Sequence, residues 1–426
     1  MQRDTHDTQE TQQNEREDGL TCFREEFYQI PGKIYLDGNS LGLLSVRAEK
    51  SLLRCLEAWK SLGIDGWMRA SPAWIDLAEE IARLTASLIG AHPEEVVVAN
   101  STTVNLHQLL ATVYEPDATR PRIVTDALAF PSDRYALESH LRLRGRDPGV
   151  DLITVPPRDG RILDEEDILA ALSDDVQLLI VPSVVYTSGQ LLDLPRLTHE
   201  AHRRGVRIGV DCAHSIGCVP HRLSLWGVDF AFWCGYKYLN GGPGASGGLY
   251  LNRRYHDRSP GLAGWFGSCR DKQFDMLPHM DPAPGAARLQ IGTPNILSMA
   301  PLLGALEMIA EAGIERIRAR SLALTDYLMQ LASAELTSFG FQCVTPRAPE
   351  RRGGHIALAH PEAVRICRAL RAHGVVPDYR PPDIVRLAPV ALYNTRQECQ
   401  EAIRRLRHIM ETEEYRRYAT EREYIV

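Results

Sequence analysis

Residues 226–244 read WGVDFAFWCGYKYLNGGPG, and the fold is decided by how this stretch begins and ends. VDFAFWC (228–234) is apolar at almost every position, the pattern of a strand covered on both faces. It runs out into Gly235-Tyr236-Lys237-Tyr238 and then a glycine-rich turn around Pro243. Lysine is scarce: it stands only at 33, 50, 60, 237 and 272, against 48 basic residues in all. A lysine leaving a buried strand between two tyrosines is not a solvated surface lysine. A desolvated lysine amine is the usual Schiff-base former.

Working outward, further strands are predicted at 96–100, 122–126, 150–155, 176–185, 206–211 and 247–252, with helical periodicity at 46–60, 74–89, 102–114, 133–144 and 195–204. Apolar strands separated by helices predict an α/β fold with a mostly parallel sheet. After Thr293-Pro294-Asn295 a long amphipathic stretch runs to about 335, and a smaller α+β segment completes the chain. The expected division is a disordered tail at 1–19, an N-terminal part of a small domain at 20–60, a large domain at 61–299 and a C-terminal small domain at 300–426.

The 426 residues are 44% hydrophobic, 24% charged and 7% aromatic, which is ordinary globular composition. Of the net charge of −7, residues 1–18 carry −4 (six acids, two arginines), so the body is nearly neutral. It offers no basic block for nucleic acid or an anionic membrane, and no apolar run of membrane-spanning length. The first residues read as neither a signal nor a transit peptide. Nine scattered cysteines without a C-x-x-C pair fit a reduced, cytoplasmic chain better than a disulfide framework or a zinc site.

In an α/β sheet, ligands bind beyond the carboxyl ends of the strands. Strand 96–100 leads into Ser101-Thr102-Thr103 and a helix, which is either a phosphate cradle or a simple N-cap. Strand 206–211 ends in Asp211, followed by Cys212-Ala213-His214; the acid either holds a protonated ring nitrogen or caps the next turn. Two decoys fall away. GPGASG (242–247) matches a dinucleotide glycine pattern but contains a proline and precedes a strand rather than a helix. His199-Glu200-Ala201-His202 is one residue short of a zinc-protease motif and reads as a solvated helix face.

Phosphate-binding Thr, ring-nitrogen Asp and Schiff-base Lys, in that order and each at a strand end, point to pyridoxal phosphate on a fold-type-I scaffold. The chain here resembles the kynureninases, through YLDGNSLG (35–42), TTVNL (102–106), FPSD (130–133), DCAHSIG (211–217), WGVDFAFWCGYKYLNGGPG (226–244), GWFG (264–267), GTP (292–294) and RLAPVALYNT (386–395). The resemblance implies hydrolytic Cβ–Cγ cleavage of L-kynurenine or its 3-hydroxy form to an anthranilate and L-alanine. It implies that Lys237 holds the cofactor and shuttles the Cα proton, that Asp211 pairs with the pyridine nitrogen, and that His214 sits beside Asp211. Phe130 would stack on the ring, and Asp133 would hydrogen-bond near it. Thr102 and Thr103 would hold the phosphate with help from Tyr236, which also serves as an acid/base group. Arg386 would clamp the substrate carboxylate. Trp265 and Thr293 would come from the partner subunit of a homodimer with shared sites.

Two stretches depart from the family. Pro182 stands where kynureninases carry a hydroxyl residue near the cofactor, and Trp67–Ser71 stands where they place a ring-contacting aromatic or histidine. The rival reading on the same scaffold is a cysteine desulfurase or selenocysteine lyase, which wants a mobile cysteine late in the chain. Cys343 and Cys367 lie instead in patterned apolar segments. A non-catalytic binding protein that keeps the fold would not need Lys237, Asp211 and Arg386 together.

Overall fold

The computed structural model describes residues 19–421, so nearly all of the acidic tail lies outside the described residues. Its centre is a seven-stranded sheet of β1 (Val96–Val98), β2 (Arg122–Asp126), β3 (Leu152–Val155), β4 (Val176–Pro182), β5 (Arg207–Asp211), β6 (Phe230–Trp233) and β7 (Gly248–Leu251). The order across it is β1-β7-β6-β5-β4-β2-β3, and only β7 runs against the others. Alternate residues enter opposite cores. Leu178, Ile180, Phe230 and Phe232 pack on one face, while Leu179, Val181, Ala231 and Trp233 pack on the other. Burial on both faces is why these strands read as unbroken apolar runs instead of alternating.

β2 spans the expected 122–126 and β5 ends at the expected Asp211, whereas β1 and β4 stop at Val98 and Pro182, short of the expected 100 and 185. Helices Thr102–Val113 (α3) and Pro131–Leu143 (α4) follow β1 and β2. Helices Val46–Leu62 (α1) and Trp74–Ile89 (α2) precede the sheet; Ser45 caps α1 by accepting from Ala48 N at 3.2 Å.

The amphipathic stretch after residue 295 is two helices, Ile296–Ala312 and Ile314–Glu335, bent by 82° at Gly313. Gly313 has φ 81°, the left-handed region where a side chain would be strained. The expected 299/300 division therefore falls inside a helix. Met299, Leu302, Leu306 and Ile309 belong to the core of the large sheet, together with Leu20, Phe23, Phe27 and Leu43 from the segment assigned by sequence to the small domain. Of that early segment Ile34 and Leu36 join the second core. They do so through a parallel pairing of Ile34–Tyr35 with Val375–Val376.

The second core covers a four-stranded antiparallel sheet of β8 (Gln342–Cys343), β9 (Ile356–Ala359), β10 (Asp378–Arg380) and β11 (Ile384–Leu387), in the order β10-β11-β9-β8. Helices Ala363–Ala372 and Arg396–Glu411 pack on it, the latter opened by a Thr395/Glu398 capping box. No single helix among the described residues is long and apolar enough to cross a membrane.

Candidate active site

Because β1, β2, β4, β5 and β6 all point the same way, their exits converge on one edge of the sheet, and a cavity of about 580 Å³ opens there. At the exit of β1, Asn100 has φ 51°, which turns the chain sharply into α3. The turn is pinned from both sides: Gly247 N donates to Asn100 O at 2.8 Å, and Asn105 Nδ2 donates to Ala99 O at 2.9 Å. Ser101 sits at the N-cap position without making a side-chain cap bond, so capping does not account for its hydroxyl. Ser101, Thr102 and Thr103 line the cavity together with Gly244 and Ala245.

Lys237 arrives from β6 by a tight loop in which Gly241 N donates to Gly235 O at 2.9 Å and Asn240 takes φ 55°. The early DGNSLG loop closes over it. Gly42 N donates to Tyr236 O at 2.8 Å, and a Cβ on Gly42 would come within 2.6 Å of Lys237 O. This close backbone approach explains the glycine of that motif. Lys237 Nζ lies 2.8 Å from His214 Nε2 and 6.0 Å from the centroid of the Phe130 ring. Phe130 meets Tyr186 edge-on at 5.4 Å.

Three buried carboxylates stand behind the lysine. Asp211 accepts from Ala213 N at 2.8 Å, so it caps its own turn as well as lining the cavity. Burial drives Asp133 well above the usual carboxylate range, and the charge of Asp211 adds to it. Burial also raises Asp211, but Lys237 opposes that rise. Of the two, Asp133 is pushed further toward its protonated form, while Lys237 holds Asp211 back. Asp126, at the exit of β2, is pushed up to about 7 by burial. His214 is held far below the ordinary imidazole value by burial, then by the charges of Lys237 and Arg386. Burial likewise keeps the Tyr236 phenol protonated.

Thr102, Thr103, Phe130, Asp133, Asp211, His214, Tyr236 and Lys237 thus line one cavity. Three others do not line it. Arg386 is fully buried beneath it: Nε and Nη2 pair with Asp378, and Nη1 donates to Tyr186 O at 2.7 Å. Trp265 is 44% exposed, donates its indole N–H to Gln273 O at 2.9 Å, and together with the exposed Thr293 stands outside the cavity of its own chain.

The sequence reading missed Ser40, Asn295 and Arg380, which do line the cavity. Ser40 was inside a recognised motif without a role. Arg380 carried a readable signal, since Asp378-x-Arg380 alternates charges along a strand whose partner strand bears Arg386. Pro182 pairs in register with Asp211 at the strand ends, and Ser183 N donates to Asp211 O at 2.8 Å, so the ladder continues past the proline. Trp67 packs edge-on against Trp74 at 6.0 Å and near Phe266 at 6.1 Å, as part of an aromatic wall.

These groups fit pyridoxal phosphate. The α3 N-terminus offers hydroxyls and free amides to a phosphate. Gly247 leaves that end open, since a Cβ there would meet Thr102 N at 3.2 Å. Asp211 is buried with Lys237 as the charge that opposes its burial, and a protonated pyridine nitrogen would add a second. The cavity cysteine, Cys234, is buried and its thiol is raised by burial; Cys343 on β8 and the buried Cys367 do not line the cavity.

Residues 317–406 match the family model of the kynureninase C-terminal domain. The chain is 55% identical to a kynureninase of Geobacillus thermodenitrificans (strain NG80-2), over 96% of each chain. It is 51% identical to one of Shouchella clausii (strain KSM-K16), over 97% of each. Among solved structures it resembles a cystine C–S lyase in complex with cysteine persulfide (TM-score 0.77, 19% identity, 89% of this chain and 99% of that one). An apo cysteine desulfurase from Thermococcus onnurineus NA1 is similar to the same degree (TM-score 0.76, 19% identity, 91% and 97%). At such identities these two speak for the fold alone, a fold-type-I pyridoxal-phosphate scaffold. Identity above one half along almost the whole of both chains speaks for more: this chain belongs to the kynureninase family.

Proposed function

We propose that the chain hydrolyses the Cβ–Cγ bond of L-kynurenine, and of ring-substituted relatives such as L-3-hydroxykynurenine, to an anthranilate and L-alanine. Pyridoxal phosphate, when bound, supplies the electron sink for the bonding pairs left on Cα and Cβ when the proton and the acyl carbon depart. The chain's own residues hold, orient and move protons. Ser101, Thr102 and Thr103 seat the phosphate, Phe130 covers one ring face, and Asp211 keeps the pyridine nitrogen protonated. Protonated Asp133 adds a hydrogen-bond donor near the ring without a second negative charge.

Lys237 Nζ is the amine that holds the cofactor and then takes and returns the Cα proton of the substrate. Tyr236, kept protonated by burial, is the acid that serves the oxygen created when water adds to the γ-carbonyl. Arg386, buried beneath the cavity, supplies positive charge at the α-carboxylate end, and proximity does the rest. The active unit is a homodimer in which Trp265 and Thr293 reach the partner's cavity, and the enzyme works in the cytoplasm.

The observation that carries this reading is the meeting of Lys237, His214 and Asp211 in one cavity of a chain this similar to kynureninases. The test is incubation with L-kynurenine and L-3-hydroxykynurenine, with pyridoxal phosphate as the only addition. Alanine and the matching aryl acid should appear in equal amounts. Sulfide from cysteine, with no aryl acid from either kynurenine, would overturn the proposal in favour of desulfurase chemistry.

A further inference from the structure

Two guanidinium groups converge on one hydroxyl at the cavity wall. Arg380 Nη2 lies 3.5 Å and Arg386 Nη2 3.4 Å from Ser40 Oγ. The convergence is built into the strand register. Asp378 pairs with Arg386 and Arg380 with Ile384, so Asp378 and Arg380 project from the same face of β10, beside Arg386. Both arginines lean on a single carboxylate: Arg380 Nε is 3.2 Å from Asp378 Oδ2, the oxygen that also takes Arg386.

The two are not equivalent. The Arg386 side chain is 0% exposed and its three nitrogens are all engaged, whereas the Arg380 side chain is 24% exposed and lines the cavity with Ser40, His214 and Lys237. Among the described residues nothing pairs with Arg380 Nη1. Two permanent cations against one aspartate leave a positive charge uncompensated. The other acid nearby, Asp37, is raised to about 7 by burial, so it neutralises that charge only in part.

We infer that Arg380 is the cavity-facing half of a two-arginine subsite for the substrate's α-carboxylate, with Arg386 as the buried half and Ser40 marking where the carboxylate oxygens seat. The reasoning is that of charge-assisted, forked recognition. A planar guanidinium presents paired N–H groups to a carboxylate, and a fixed neighbour prevents it from swinging away. Asp378 is that fixture: it orients both forks yet balances only one. The inference rests on the kynurenine reading only in taking an α-amino acid as the ligand.

The test compares wild-type holoenzyme with Arg380→Gln and Arg380→Lys. It reads KM and kcat for L-kynurenine, and it reads the binding of L-alanine against L-alaninamide by titrating the visible absorbance of the bound cofactor. Arg380→Gln should raise KM about 10- to 100-fold with a smaller change in kcat, and should erase the preference for the acid over the amide. Arg380→Lys should keep part of that preference, because the charge remains while the fork is lost. If Arg380→Gln does not fold, Arg380→Lys decides: a KM raised about tenfold at an unchanged melting temperature supports the subsite. An unchanged KM and an unchanged acid-to-amide ratio in the folded variant overturn it. A wild-type protein that turns over no kynurenine, yet loses its preference for L-alanine on Arg380→Gln, would sink the functional reading and leave this one standing.

Discussion

Lys237 Nζ stands 2.8 Å from His214 Nε2. Where Lys237 donates, the Nε2 lone pair accepts, which leaves the imidazole neutral with its proton on Nδ1. Burial and the surrounding cations enforce this, holding His214 well below its ordinary value. The ring lies between Tyr186 and His355, at 6.2 and 6.0 Å, so it cannot swing to another partner without displacing aromatic neighbours. A neutral, wedged histidine therefore aims the one amine that the reaction needs.

His214→Phe keeps the ring's volume and removes that lone pair. The variant should still attach the cofactor at Lys237 and should lose about tenfold in kcat, the worth of one hydrogen bond of about 1–1.5 kcal/mol. Stopped-time assays at saturating kynurenine check this. A wild-type kcat would mean that His214 only fills space.

Lys237→Ala should abolish turnover while retaining weak affinity for pyridoxal phosphate through the α3 terminus. In the wild type, borohydride should discharge the visible band and leave a single modified peptide containing Lys237. Modification of Lys33, Lys50, Lys60 or Lys272 instead would displace the site.

Gly247→Ala tests the phosphate seat. The added Cβ would lie 2.7 Å from Trp233 O, 3.1 Å from Asn105 Nδ2 and 3.2 Å from Thr102 N, so the start of α3 must shift. Cofactor affinity should fall about tenfold or more, with about 1–3 kcal/mol lost from stability through overpacking. If the Kd for pyridoxal phosphate is unchanged, the phosphate does not sit at this helix end.

The central sheet was legible because burial on both faces writes itself as apolar runs, and the site was legible because strand ends carry isolated polar residues. Lys237, Asp211 and Thr102 could each be picked out on that ground. Arg380 was missed, because its charge alternation with Asp378 points to the site only once the pairing with the Arg386 strand and the contact with Ser40, 340 positions away, are in place. The domain division was misplaced for a related reason. Periodicity reads one amphipathic stretch from Asn295 to about 335, while the bend at Gly313 assigns its first helix to the other core. Nothing in the sequence alone indicated that Arg386 would be buried beneath the cavity.

Asp126 makes the cofactor-free protein sensitive to pH. Burial lifts its carboxyl to about 7, opposed by the backbone amide of Leu128. A folded-state value above the unfolded one means that the native form keeps a proton the unfolded chain has released above about pH 4. This contribution to stability is full below the unfolded value and is lost as pH rises through about 7. The melting temperature of cofactor-free protein should therefore fall between about pH 5 and pH 7.5, and Asp126→Asn should flatten that slope. Differential scanning calorimetry across the range decides; an equally steep fall in the variant would exclude Asp126 as its source.

Trp265, Phe274 and Met276 are 44%, 67% and 69% exposed, and the first two rings meet edge-on at 5.4 Å. Large apolar side chains clustered in solvent mark a surface that another chain covers. If the covering chain is a second copy and Trp265 reaches its cavity, the two sites of a dimer each draw residues from both chains. Lys237→Ala and Trp265→Ala then place their defects differently in a mixed dimer: one site carries both and the other carries neither. With free exchange half of the dimers are mixed and half of their sites are intact, so equal parts of two inactive variants should recover about a quarter of wild-type activity. The measurement needs each variant to be nearly inactive alone, and subunit exchange confirmed by differently tagged chains. No recovery despite exchange, or full activity in a monomer at assay concentration, would show that each chain completes its own site.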